Sequence, residues 1–251
     1  GESDSTHPEY VPNIITWQAD YENDIKLINN QLTDIPFVCS QASTFTRSAE
    51  GTTVDQWSTN GVLAPFYASR SAPDKFILAS PYYPYQMHTD LLHLHASSHP
   101  KIGESIAIAV ENAVFGKGTE GHLAPVNVEF NGTNQVTVNF NMDCVVDLTN
   151  PLIPPPEDGN WGFQIFDGAT GLPVEIANRQ LVNPTTVVLT TTESVSSGPY
   201  RGVGYALYGY TSPKTIGTQA RGCIRSEKPM TVSRLDGEVL YYWCNHFFLN
   251  F

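Results

Sequence analysis

An acid and an imidazole stand three residues apart in Asp90-Leu91-Leu92-His93-Leu94. At that spacing an aspartate carboxylate can accept the Nδ1 proton of the histidine across one turn of backbone. Such a bond fixes the tautomer and leaves Nε2 to take a proton from a hydroxyl nucleophile. The competing reading is structural, a loop histidine paired with a nearby acid. His88, His95 and His99 crowd the same stretch. Their crowding invites a metal reading, but there is no second ligand pair at helical spacing. Acid–base chemistry is therefore expected, without a metal or other cofactor.

Two elements must hold this pair. Phe76-Ile77-Leu78-Ala79 reads as a buried strand, and Ile102, Ile106, Ala109, Val110 and Ala113 recur at helical spacing. The pair thus falls in a strand-to-helix loop, beyond the carboxyl end of a strand, where open α/β sheets keep their active sites. Upstream, Trp17 to Tyr21 leading into Ile25, Leu27, Ile28 and Leu32 predicts an amphipathic helix with acids early in it. Ile35 to Gln41 reads as a short buried strand. Thr52 to Trp57 reads as a capped helix start, followed by Val62, Leu63, Phe66 and Tyr67 at helical spacing. Tyr82, Tyr83 and Tyr85 precede the acid–imidazole pair; they could stack on the apolar faces of a sugar or pack as ordinary loop aromatics.

Beyond Phe115 the periodicity changes. Short alternating runs take over, separated by Gly, Pro and Asn: 126–130, 135–140, 162–167, 186–190 and 202–208. Strands at this spacing predict an antiparallel β-sandwich. The expected boundary gives an α/β part over 1–118 and a β-sandwich over 119–251, the latter long enough to bury a core of its own.

The chain has 13 basic and 25 acidic side chains, a net charge of −12. That balance argues against a phosphate-binding surface and against nucleic-acid binding by counterion release. No apolar run is long enough to span a bilayer, so no membrane partner is expected. Cys39, Cys144, Cys223 and Cys244 show no C-x-x-C spacing and read as buried free thiols, Cys39 most clearly, with a Cys223–Cys244 bridge as the alternative. Composition suggests a secreted, extracellular or virion-associated setting.

The Asp-x-x-His-Leu run, with Gly103 ten residues after the histidine and then a helix, resembles the last block of the SGNH (GDSL-like) hydrolases. In that family the Asp and His complete a triad with a serine near the start of the domain. Gly1-Glu2-Ser3-Asp4 resembles the tail of the Gln-Gly-Glu-Ser-Asp block of the carbohydrate acetylesterase branch, which includes the sialate O-acetylesterases, and the Pro-Phe-Val strand ending at Gln41 resembles the element that follows. Gly222 to Ser226 and Leu240 to Phe247 resemble the C-terminal sandwich of such esterases in phage tail and polysaccharide-processing proteins. Ser226 and Tyr242 depart from that pattern. Trp243 and Phe247 are expected as core, Arg225 as a paired cation and His246 as structural.

The resemblance implies the C-terminal part of a flavodoxin-like three-layer α/β/α SGNH domain, followed by the β-sandwich. It implies a serine carbohydrate O-acetylesterase acting on an O-acetylated glycan. His93 would be the base and Asp90 its partner; Glu2 would order the oxyanion corner and Gln41 would lie near the cleft. The nucleophile precedes the Gly-Glu block in the family. The expectation is therefore that this chain is the C-terminal piece of a longer or nicked polypeptide, inactive until an N-terminal segment or companion chain supplies Ser and the oxyanion hole. Ser3, with no strand before it, does not fit a nucleophile elbow. A homo-oligomer is possible. Two other readings stay open: a non-enzymatic carbohydrate-binding or structural module of a phage tail fibre or spike, and a lipase-like or thioesterase enzyme with an apolar tunnel.

Overall fold

The computed structural model describes residues 9–43, 60–89, 93–116, 122–207 and 220–251. It opens with α1 (Tyr10–Asn29), β1 (Phe37–Gln41), α2 (Asn60–Ser71), β2 (Phe76–Pro81) and α3 (Ser98–Phe115). Thirteen strands in all are described, and those after α3 are antiparallel: β3 (Pro125–Phe130), β4 (Gln135–Phe140), β5 (Cys144–Val146), β6 (Phe163–Phe166), β7 (Pro173–Val174), β8 (Ile176–Asn183), β9 (Thr186–Thr191), β10 (Gly202–Tyr205), β11 (Ile224–Val232), β12 (Val239–Trp243) and β13 (Phe247–Asn250). No described helix is long and apolar enough to cross a membrane. The helix start expected at Thr52 lies outside the described residues.

β1 and β2 are parallel, pairing Phe37 with Phe76, Val38 with Ile77 and Cys39 with Leu78 before the register shifts. Parallel neighbours require a crossover, and α2 supplies it, burying Leu63 and Phe66. α1 ends on Asn30 in the left-handed region, φ 55°, whose N–H returns to the Lys26 carbonyl.

The face that α1 buries differs from the expected apolar stripe. Leu27 and Ile28 are 80% and 82% exposed, and Leu32 lies past the helix end. The buried residues are Gln18 and Glu22. Glu22 accepts hydrogen bonds from Lys26, Lys75, Gln18 and the Ile35 N–H, at 2.7–3.2 Å. The carboxylate thus pins α1 to the residues leading into β1 and β2. Lys26 and Lys75 hold its pKa far below the usual carboxylate range. Trp17 and Tyr21 lean edge-on against Phe37 at 5.0 and 5.9 Å.

In the β part the order is β3-β4-β9-β8 in one sheet, β13-β10-β6-β7 in a second and β12-β11-β5 in a third. Alternation places Val136, Val138 and Phe140 of β4 inside, opposite Val187 and Leu189 of β9. The inward residues of all three sheets form one apolar cluster, an arrangement compatible with the expected sandwich. Phe66, Leu78 and Tyr83 from the α/β part belong to the same cluster. Trp243 and Phe247 are core, as expected. Arg225 is half-buried, its Nε 2.7 Å from Asp147 and its guanidinium 3.7 Å over the Tyr241 ring. All four cysteines are free thiols; Cys144, Cys223 and Cys244 are buried, whereas Cys39, expected as the clearest buried thiol, is only partly buried, like most of β1.

Candidate active site

The loop from β2 to α3 doubles back on itself. Met87 and Leu94 form an isolated antiparallel bridge. The His88 N–H donates to the His93 carbonyl at 2.7 Å, and the His95 N–H to the Gln86 carbonyl at 2.9 Å. Successive residues of extended chain face opposite ways. With Met87 and Leu94 buried, their neighbours His88 and His93 are turned to the surface, and both are exposed. Ser98 closes the loop by donating to the Gln86 carbonyl at 2.8 Å, while His95 Nδ1 meets Ser97 Oγ at 2.8 Å. His93 therefore sits beyond the carboxyl end of β2 and ahead of α3. Asp90, the acid expected to orient it, lies outside the described residues, as does Glu2.

Gln41 is fully buried. Its Nε2 donates to the carbonyls of Val62 and His246, both at 2.9 Å, and its Oε1 accepts the His246 N–H at 2.8 Å. Both N–H donors and one acceptor site are thus used, between α2 and the turn before β13, and the buried carboxamide does not face an open cleft. The tyrosines also point inward. Tyr83 and Tyr85 are buried, and Tyr83 Oη donates to the Cys244 carbonyl at 2.7 Å. Loop packing, rather than a stacking platform, accounts for these two.

A second serine–histidine pair escaped the sequence reading. Ser43 Oγ lies 2.6 Å from Nε2 of His246. His246 Nδ1 lies 2.6 Å from the Ala206 carbonyl, so Nδ1 carries the proton and Ser43 donates to Nε2. Ser43 Oγ in turn accepts the N–H groups of Tyr82 and Tyr83, at 3.1 and 2.9 Å. The distances match a nucleophile and its base, but both residues are essentially without solvent access, at 1% and 0% exposed. Buried in this way, the pair fastens the end of β1 to the turn before β13. Burial lowers the His246 pKa to about 4. No local pattern in the sequence signals this pair, because its members are 203 residues apart.

His122 is a second buried imidazole. Its Nε2 meets Ser105 Oγ at 3.0 Å, its Nδ1 has no partner among the described residues, and burial lowers its pKa to about 3. Among the described residues, no group of three or more His, Cys, Asp and Glu is placed to hold a metal ion. A groove of about 490 Å³ runs between α3 and the end of β11, lined by Pro100, Gly103, Glu104, Val232 and Arg234 among others; His93 does not line it.

No protein-family model and no curated protein matches the sequence. Among solved structures, the fold is similar to that of a carbohydrate acetylesterase from Xanthomonas citri, with a TM-score of 0.58 and 12% identity. The likeness covers 100% of this chain and 48% of that one, so the chain spans about half the length of the neighbour. The N-terminal part of the bacterial S-layer protein SbsC matches far more loosely, at a TM-score of 0.28 and 8% identity over 62% of this chain and 28% of that chain.

Proposed function

We propose that this chain carries the general base of a serine carbohydrate O-acetylesterase of the SGNH type, and that its α/β part, 1–118, completes a three-layer domain with a further segment. The observation that carries the reading is the exposure of His93 on a braced loop between β2 and α3, in a fold similar to that of a carbohydrate acetylesterase. A serine hydroxyl from the N-terminal segment or companion chain attacks the acetyl carbonyl. His93 accepts its proton and then delivers it to the departing sugar alkoxide, while Asp90 orients the imidazole and stabilises its charged form. Backbone N–H groups and an amide from the same segment meet the oxyanion. Water then releases acetate by the reverse proton path.

The reading gives that segment a strand along the other edge of β1, which among the described residues pairs only with β2. On α1, Trp17, Leu27 and Ile28 are exposed apolar side chains that the same segment could cover. A substrate in a secreted or virion-associated setting suits the acidic composition. The test is acetate release from O-acetylated glycans by this chain together with its nucleophile-bearing segment. Removing a general base costs roughly 10²–10⁴-fold in rate. His93→Ala should fall by that much, and equal acetate release by wild type and His93→Ala would refute the reading.

A further inference from the structure

The side chains that hold the His93 loop from below come from two distant stretches of sequence. Met87 and Leu94, the bridge residues, pack with Tyr85 and Ile102. The same cluster contains Leu240 of β12, only 5% exposed, and Met230 of β11 packs against it. The hairpin joining those two strands also grips the start of α3. Lys101 pairs with Asp236 at 2.8 Å and with Glu238, and Glu104 accepts the Arg234 N–H at 2.8 Å. The hairpin itself is tight: the Ser233 N–H donates to the Glu238 carbonyl at 2.8 Å, and Gly237 turns the chain at φ +79°.

We infer that the β11–β12 hairpin is a positioning element for His93, with Leu240, Lys101, Asp236 and Glu238 as its positioning residues. The logic is one of alternation. His93 faces outward because Leu94, the next residue, is held inward, and Leu240 is part of what holds it. A loop resting only on its own strand and helix could tilt; with Lys101 clamped to the hairpin on one side and Leu240 packed in the cluster of the bridge residues, the backbone that carries His93 is braced from both sides. The β part thus contributes to the site without touching substrate. Its catalytic meaning rests on the esterase reading, but the mechanical coupling does not.

The test therefore has two readouts. In this chain, amide hydrogen exchange over 86–95 is compared between wild type, Leu240→Ala and the double variant Asp236→Asn/Glu238→Gln. Exchange at His88 and His95 should quicken by tenfold or more in Leu240→Ala and severalfold in the double variant, with 125–140 unaffected. Unchanged exchange over 86–95 in a folded Leu240→Ala protein would overturn the inference; if that protein does not fold, unchanged exchange in the double variant overturns it. With the nucleophile-bearing segment present, kcat for acetate release should fall tenfold or more while KM holds, and Leu240→Met should restore it. Failure of the esterase reading appears separately, as His93→Ala activity equal to wild type with the exchange result intact.

Discussion

Two buried imidazoles make this fold acid-sensitive in a window where ordinary carboxylates do not titrate. In the folded chain His246 and His122 are neutral, with pKa values lowered to about 4 and about 3 by burial. A histidine in unfolded chain titrates near pH ~6.5. The unfolded state therefore takes up protons first as pH falls. Each group's contribution is fully present above pH ~6.5 and is lost progressively down to its folded pKa. At pH 5 the unfolded form of each is almost fully protonated and the folded form is not, a difference of about 2 kcal/mol per histidine and about 4 kcal/mol for the two. Against a typical domain stability of roughly 5–15 kcal/mol, that is a large fraction. Glu22 and Asp167, whose carboxyls are held well below the usual range, act in the same direction but only at lower pH. The interval from pH 7 to 5 consequently isolates the histidines.

The assay is urea unfolding at pH 7, 6 and 5, with the wild type beside His246→Gln and His122→Gln. The wild-type free energy of unfolding should drop by about 4 kcal/mol across the interval, and each variant, although less stable at pH 7, should lose only about 2 kcal/mol. A wild-type stability that stays level between pH 7 and 5 would refute the reasoning. So would variants whose pH slope equals that of the wild type, since the sensitivity would then lie elsewhere.

His93 is exposed, so His93→Ala should leave the unfolding free energy within about 1 kcal/mol of wild type while removing the proposed esterase activity. A Cβ at Gly222 would lie 2.1 Å from both Cζ and Oη of Tyr205, whose hydroxyl accepts the Ile224 N–H. Gly222→Ala should therefore lose about 3 kcal/mol or more in thermal or chemical unfolding, by overpacking and by displacement of that bond. Leu27→Asp/Ile28→Asp should keep the fold and its melting temperature, because both side chains are over three-quarters exposed, yet should weaken capture of the nucleophile-bearing segment at least tenfold.

What could be read from the sequence divides along physical lines. Strands such as Gln135–Phe140 and Thr186–Thr191 alternate cleanly because one face meets a core and the other meets water, so a period of two suffices to find them. The place of His93 in a loop between β2 and α3 was legible from the change of period, a strand on one side and a helical pattern on the other. α1 was misread on its face though not on its existence. Its apolar residues Leu27 and Ile28 satisfy a helical stripe, but the charge network around Glu22 decides what the helix turns inward. Short strands such as Cys144–Val146 and Pro173–Val174 carry too few residues to show any period. The hairpin between β11 and β12 went unread, and nothing local in the sequence ties Asp236 to Lys101.

The junction between the two parts is where local reading has least to offer and where the chemistry is most constrained. Gln41 ends β1 and Ser43 follows it; both side chains are buried, and a polar group there is costly unless it is hydrogen-bonded. Three atoms of the His246 backbone and ring supply the partners: its N–H and carbonyl to Gln41, its Nε2 to Ser43. Such a set admits one geometry, whereas the apolar contacts of Phe66 and Phe247 beside it, 6.1 Å between ring centres, would tolerate sliding. The register of the β part on the α/β part is then fixed by hydrogen bonds at one end of β1 and by Lys101 and Leu240 at the other side of the β2–α3 loop. Between those two fastenings lies Tyr83, packed edge-on to Trp243 and His246. The loop that presents His93 begins immediately after it, so the imidazole inherits its place from contacts that only the complete β part can make.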